Sequence, residues 1–189
     1  MSSKKHLTFV TKNKEKIADI KEMLGDMIEL SFESDIELTE IQSLFVEDVV
    51  SFKAKEAFEL LNKPVAVSDS GLEIVSLKKF PGALVKYVNE TIGQEGLAKL
   101  MEGKHERTAY FVAAISYYDK ENGLKVFVKK DEGTIAEAPR GEGWHFDKLF
   151  IPKGESKTWA EIGREDKNTH SAFRRALTAL AEWLQNDKK

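Results

Sequence analysis

A mixed α/β fold, a sheet flanked by helices, is predicted by three features of the chain. Strand and helix patterns alternate through its first third, the mark of a sheet with crossover helices. An Asn-Gly pair then separates two runs rich in aromatic and β-branched residues, which adds an antiparallel hairpin. The chain closes on an amphipathic helix.

Taken in order, His6–Val10 reads as the first strand and Lys14–Leu24 as a helix. Ile17, Ile20, Met23 and Leu24 recur at helical spacing, and Gly25 is a stop signal. A second strand follows at residues 28–32, then an irregular acidic stretch through Glu40. Val46–Leu61 puts Val46, Val49, Val50, Ala54, Ala57, Phe58 and Leu61 on one face, with Lys53 near the edge of that stripe. Pro64 opens PVAV, a continuous apolar run typical of a strand buried on both faces. A short helix is expected at 94–101, strands at 107–118 and 124–128 around the hairpin turn, and the last helix at 171–184. No repeat, low-complexity segment or linker divides the chain, so residues 1–189 are expected to form a single domain.

Charge and composition exclude several classes. With 29 Lys+Arg against 32 Asp+Glu the net charge is -3, so no basic surplus favours a nucleic-acid polymer or an anionic membrane. Any bound anion must be held by a local cluster. The absence of cysteine removes disulfides, thiolate metal sites and a cysteine nucleophile, and fits a reducing compartment. MSSKKHLTFV is too short in apolar residues for a signal sequence, and no window reaches the length of a membrane span; a cytoplasmic location is expected.

Five stretches could carry chemistry. TKNKEK, residues 11–16, lies between a strand and a helix, where free N–H groups and the helix dipole favour a phosphate; the competing reading is an Asn cap followed by a solvated lysine-rich turn. VSDSGL, residues 67–72, puts Asp69 at the carboxyl end of the buried strand, where open α/β sheets bind ligands. The competing reading is an Asx-type turn, with Gly71 letting the backbone turn sharply. Glu40, in ELTEIQ, could share a magnesium ion with Asp69, or be merely solvated. Lys53, Lys86 and Lys167 read singly as surface charges. GEGWHFDKLF, residues 141–150, gathers aromatics around Asp147, suited either to stacking a base or to a strand packed in the core.

In their order these stretches resemble the inosine triphosphate pyrophosphatases, over about residues 6–184. TKNKEK is similar to that family's T-G-N-x-x-K phosphate loop, LTEIQ to P-E-I-Q, and VSDSGL to acidic-D-[ST]-G-L. FPGALVKY is similar to PG-x-x-x-K, and TWAEI with DKN to T-x-A-E-M and E-K-N. The resemblance implies an elongated mixed sheet with two lobes around a central nucleotide cleft and, commonly, a homodimer. It further implies Mg²⁺-dependent hydrolysis of a nucleoside triphosphate to the monophosphate and pyrophosphate, a house-cleaning of non-standard nucleotides such as ITP, XTP or dITP. By that match Thr11, Asn13, Lys16, Lys53, Ser70, Lys86 and Lys167 contact phosphates. Asp69 and Lys53 are the catalytic pair, and Glu40 and Asp69 serve the metal. Trp144, His145, Phe146, Asp147, Ser171, Ala172 and Phe173 form the base and ribose site.

Four departures stand out. Lys12 replaces a glycine of the phosphate loop, and Ser68 replaces the first of two acids. His145 replaces the glycine of F-G-[YW]-D-P, which is expected to shrink or reshape the pocket, and Lys148 its proline. Ala172 and Phe173 stand where the family has a His-Arg pair reading a 6-oxo group. Loss of such pairing weakens selectivity on the order of 10⁴-fold, so the base preference is expected to have moved to another modified purine or to a pyrimidine. Phe173 also begins the apolar stripe of the last helix, while Arg174 and Arg175 follow it and His170 precedes Ser171. A nucleotide-binding protein without useful catalysis is the alternative, and a scaffold domain has only the generic α/β pattern behind it.

Overall fold

The computed structural model describes residues 6–143, 145–163 and 171–186. Its core is one seven-stranded mixed sheet in the order β2 (Glu29–Glu33), β1 (His6–Val10), β3 (Val65–Ile74), β5 (Thr108–Asp119), β6 (Gly123–Ile135), β7 (Phe150–Pro152), with β4 (Pro81–Gly82) attached to β3. β1, β2 and β3 are parallel and are joined through α1 (Lys14–Leu24) and α2 (Val46–Leu61). β4, β5, β6 and β7 pair antiparallel. The other helices are α3 (Val85–Glu90), α4 (Gly93–Leu100), α5 (Trp159–Ile162) and α6 (Ala172–Asn186). No described helix is long and apolar enough to cross a membrane.

PVAV is covered on both faces, as its unbroken apolar run requires. Val65 and Val67 pack with Val50, Ala54 and Ala57 of α2, whereas Ala66 packs on the other face with α1 and α6. There Ala176, Leu177, Leu180 and Leu184 of α6 meet Leu7, Phe9 and Ile115. The far ends of β3 and β5 extend into a separate cluster of Leu72, Ile74 and Ala109 with Leu97, Met101 and Phe150.

The predicted turn at VSDSGL is absent. β3 runs on through Asp69 and Gly71 to Ile74, paired with β5 along its whole length. On its other edge β1 covers only Val65 and Ala66, and β4 only Leu72 and Glu73. Among the described residues, positions 67–71 therefore keep one edge without a partner strand, and the loop after β1 lies beside that gap. The polar half of β6, beyond Val128, also escaped the apolar pattern. It is held between β5 and β7 by pairing and by the Lys130–Glu73 and Lys153–Glu132 ion pairs. GEGWHFDKLF is not a strand: His145–Lys148 makes one 3₁₀ turn, and only Phe150 enters β7.

Gly71 is needed for close approach rather than for a turn. A Cβ there would lie 2.4 Å from the Gly82 carbonyl oxygen and 2.7 Å from Val46 Cγ2. Gly71→Ala is expected to destabilise the protein by about 2–3 kcal/mol, read as a lowered denaturation midpoint. A midpoint unchanged from wild type would contradict this packing.

Candidate active site

The gap beside β3 opens into a cleft of about 700 Å³, lined among others by Thr11, Lys12, Glu40, Lys53, Asp69 and Lys86. α2 projects Lys53 into it, and the Lys53 ammonium donates to Glu40 Oε1 at 2.7 Å and to Asp69 Oδ2 at 3.1 Å. Burial alone would lower the pKa of Lys53, but the charge of Asp69 and the hydrogen bonds to Glu40 and Asp69 outweigh it and raise the pKa. Asp69 Oδ1 accepts the backbone N–H of Ser70 at 2.8 Å. With about four lone-pair directions, the carboxylate retains capacity for a metal ion or a water.

On the far side of the Asn13 cap lies a pocket of about 320 Å³ between α1, β3, β5, α5 and α6. Asn13 caps α1, its Oδ1 accepting from the N–H groups of Glu15 and Lys16 at 2.9 and 3.1 Å. The cap reading is thus correct, and it brings the same residue to the pocket. Phe111, Trp159 and Phe173 form aromatic walls, with Phe111 and Trp159 edge to face at 4.9 Å. Lys16 lies with its ammonium 5.7 Å from the Phe173 ring centroid. Burial lowers the Lys16 pKa below its ordinary value; Asp69 opposes this shift and Lys53 adds to it. Lys16 therefore senses the cleft while bordering the pocket.

Thr11, Glu40, Lys53, Asp69 and Lys86 come together in the cleft. Asn13, Lys16, Ser70, Asp147, Ser171 and Phe173 come together in the pocket. Three of the expected base-site residues do not line it. Phe146 is 6% exposed and packs in the core beside Leu149 and Trp159, and Ala172 is fully buried, its N–H donating to Asp131 Oδ2 at 2.8 Å. His145 takes a positive φ of 30°, the conformation glycine favours, with its side chain exposed, so it does not narrow the pocket. Lys12, by contrast, replaces glycine without a positive φ and adds a cation to the cleft. Trp144, Lys167 and His170 lie outside the described residues.

The two arginines after Phe173 do not replace a base reader. Arg174 pairs with Glu22, and Arg175 pairs with Asp131 and donates to the Lys130 carbonyl. Ser171 caps α6, its Oγ accepting from Arg174 N–H at 3.3 Å. Phe173 packs partly against the α6 core and partly lines the pocket, so both readings of it apply. Phe111 and Trp159 were not anticipated as site residues.

The donors in the cleft fit a hard divalent cation. Among the described residues no three His, Cys, Asp or Glu side chains gather around one point. Glu40 and Asp69 nevertheless offer carboxylate oxygens on one cleft, and the buried Ser68 Oγ beside them has no hydrogen-bond partner. Two carboxylates completed by phosphate oxygens and water are a magnesium-type set.

Residues 7–183 match the sequence profile of the Ham1 family. The dITP/XTP pyrophosphatase of Methanopyrus kandleri is 42% identical over 154 residues, covering 81% of this chain and 82% of the relative. That of Pyrococcus horikoshii is 40% identical and covers 96% and 97%. The solved Staphylococcus aureus Ham1 protein superposes with a TM-score of 0.86 at 28% identity, covering 97% of this chain and all of the other.

Proposed function

The chain belongs to the Ham1 family, and from that premise we propose that it hydrolyses non-standard nucleoside triphosphates to the monophosphate and pyrophosphate. One observation carries the reading: the cleft that sets Lys12, Lys53 and Lys86 beside Glu40 and Asp69 and the aromatic pocket share a border at Lys16 and Ser70, next to Asp69. A base stacks on Phe111, Trp159 and Phe173, with Asp147 and Ser171 at its polar or ribose edge. The triphosphate extends past Asn13, Lys16 and Ser70 to Thr11, Lys53 and Lys86, with Lys167 part of the same set.

Asp69 accepts the proton of the water that attacks the α-phosphorus. The lysines stabilise charge developing on the leaving pyrophosphate, which is where fixed cations act most strongly. Magnesium, held by Glu40 and Asp69, supplies Lewis-acid stabilisation of the same charge when bound. A homodimer and a cytoplasmic site of action belong to the same reading. The exposed Leu44, Phe45 and Tyr87 support the dimer, which sedimentation would reveal as twice the chain mass.

Pyrophosphate release is measured over a panel of nucleoside triphosphates with Mg²⁺. Turnover of at least one non-standard nucleotide is expected. Binding without turnover of any would replace this reading with that of a nucleotide-binding protein.

The lowered Lys16 pKa adds a pH signature. A neutral Lys16 no longer holds phosphate, so kcat/KM falls on the alkaline side at lower pH than an ordinary lysine, near 10.5, dictates. Lys16→Arg keeps its charge and moves that limb upward. Titration of the substrate is common to both enzymes and cancels in the comparison. Superimposable profiles would contradict the role of Lys16.

A further inference from the structure

Residues 34–45 form no helix or strand, yet they bring Glu40 to the cleft. Two apolar side chains of this loop, Ile36 and Leu38, pack against the cluster beneath α2, and at its other end Ser43 Oγ donates to Asp48 Oδ2 at 2.8 Å. Between these anchors two side chains of α2, about one turn apart on the same flank, reach the loop. Lys53 donates to Glu40, and Glu56 accepts twice from Thr39, the residue before it. Glu56 Oε2 takes the Thr39 backbone N–H at 2.6 Å, and Oε1 takes the Thr39 hydroxyl at 2.7 Å. A carboxylate that holds the backbone and the side chain of one residue together fixes its orientation as well as its position.

The two contacts respond differently to a metal ion. Lys53 sits between Glu40 and Asp69, so an ion that binds both must displace it. Glu56 holds Thr39 through both oxygens, and the entry of an ion leaves that contact in place. Resting on the reading of Glu40 and Asp69 as metal holders, we propose that Glu56 is a positioning residue for the metal site. It keeps the backbone at Thr39 and Glu40 where the Glu40 carboxylate reaches the cation position it shares with Asp69, after Lys53 has turned away. A ligand on a loop binds in proportion to the fraction of time it is in place. Two hydrogen bonds to a charged acceptor raise that fraction about tenfold at an exposed position.

The test is a double-mutant cycle read by magnesium calorimetry on the nucleotide-free protein. Glu56→Ala, which keeps a strong helix former in α2, is expected to weaken magnesium binding about tenfold. Thr39→Val removes only the hydroxyl contact and no charge, and is expected to weaken it about threefold. Glu56→Gln loses the charge but keeps an acceptor for the Thr39 N–H, and is expected to stay within about threefold of wild type. In a Glu40→Gln background, itself weakened, Glu56→Ala is expected to have no further effect, whereas loss of a nearby charge alone would act equally in both backgrounds. Hydrogen exchange of the Thr39 amide reads the hold without any metal and is expected to quicken about tenfold in Glu56→Ala. Weakened binding in Glu40→Gln with wild-type affinity in Glu56→Ala overturns the proposal alone, as do equal effects of Glu56→Ala in both backgrounds. Wild-type affinity in Glu40→Gln overturns the reading of Glu40 as a metal holder, and the proposal with it.

Discussion

Asp69→Asn is expected to lower kcat for pyrophosphate release by about 10³-fold while KM changes little. The carboxylate is engaged on both oxygens, by the Ser70 N–H and by the Lys53 ammonium, so its orientation is fixed before substrate arrives. An amide of the same shape keeps much of that packing but cannot accept a proton from water. Loss of a general base costs about 10²–10⁴-fold, and the weakened hold on a metal ion adds to it. Steady-state kinetics with thermal melts of both proteins separates lost chemistry from lost folding. A variant within tenfold of wild type would remove Asp69 from the reaction.

Lys53→Met should act in two opposed ways. Its ammonium neutralises Glu40 and Asp69 together, and in the proposed complex it also faces the triphosphate. Without it, kcat/KM falls on the order of 10²–10³-fold, the scale of removing one fixed stabiliser of transition-state charge. The two carboxylates meanwhile lose the cation that now competes with a divalent ion. Magnesium binding to the nucleotide-free protein is then expected to tighten about tenfold, measured by calorimetry. Weaker magnesium binding in the variant would contradict the assignment of Glu40 and Asp69 as its holders.

The elements that packing dictates were legible in the sequence. β1, α1 and α2 fall on the residues their apolar spacing marks, and Asn13 and Ser171 cap helices as their side chains allow. β3 was cut short because Ser68, Asp69 and Ser70 read as turn formers; its pairing to β5 overrides that propensity, and Gly71 serves close packing against Gly82. α5 carried a legible signal that went unused, since Thr158 and Glu161 form a reciprocal capping box. That box fixes the turn on which Trp159 reaches the pocket. Phe111 gave no such signal: only the register of β5 against β3, which sets it opposite Leu72, decides the face it takes. Periodicity likewise could not say that Phe146 would be buried or that Arg174 and Arg175 would turn to Glu22 and Asp131. Those outcomes depend on partners distant in sequence.

Attack on the α-phosphorus is the central claim, and the products formed in ¹⁸O-labelled water test it most directly. Phosphorus NMR of the reaction should show pyrophosphate and a nucleoside monophosphate, with the label in the monophosphate. Orthophosphate with a nucleoside diphosphate, or label in the pyrophosphate, would contradict it.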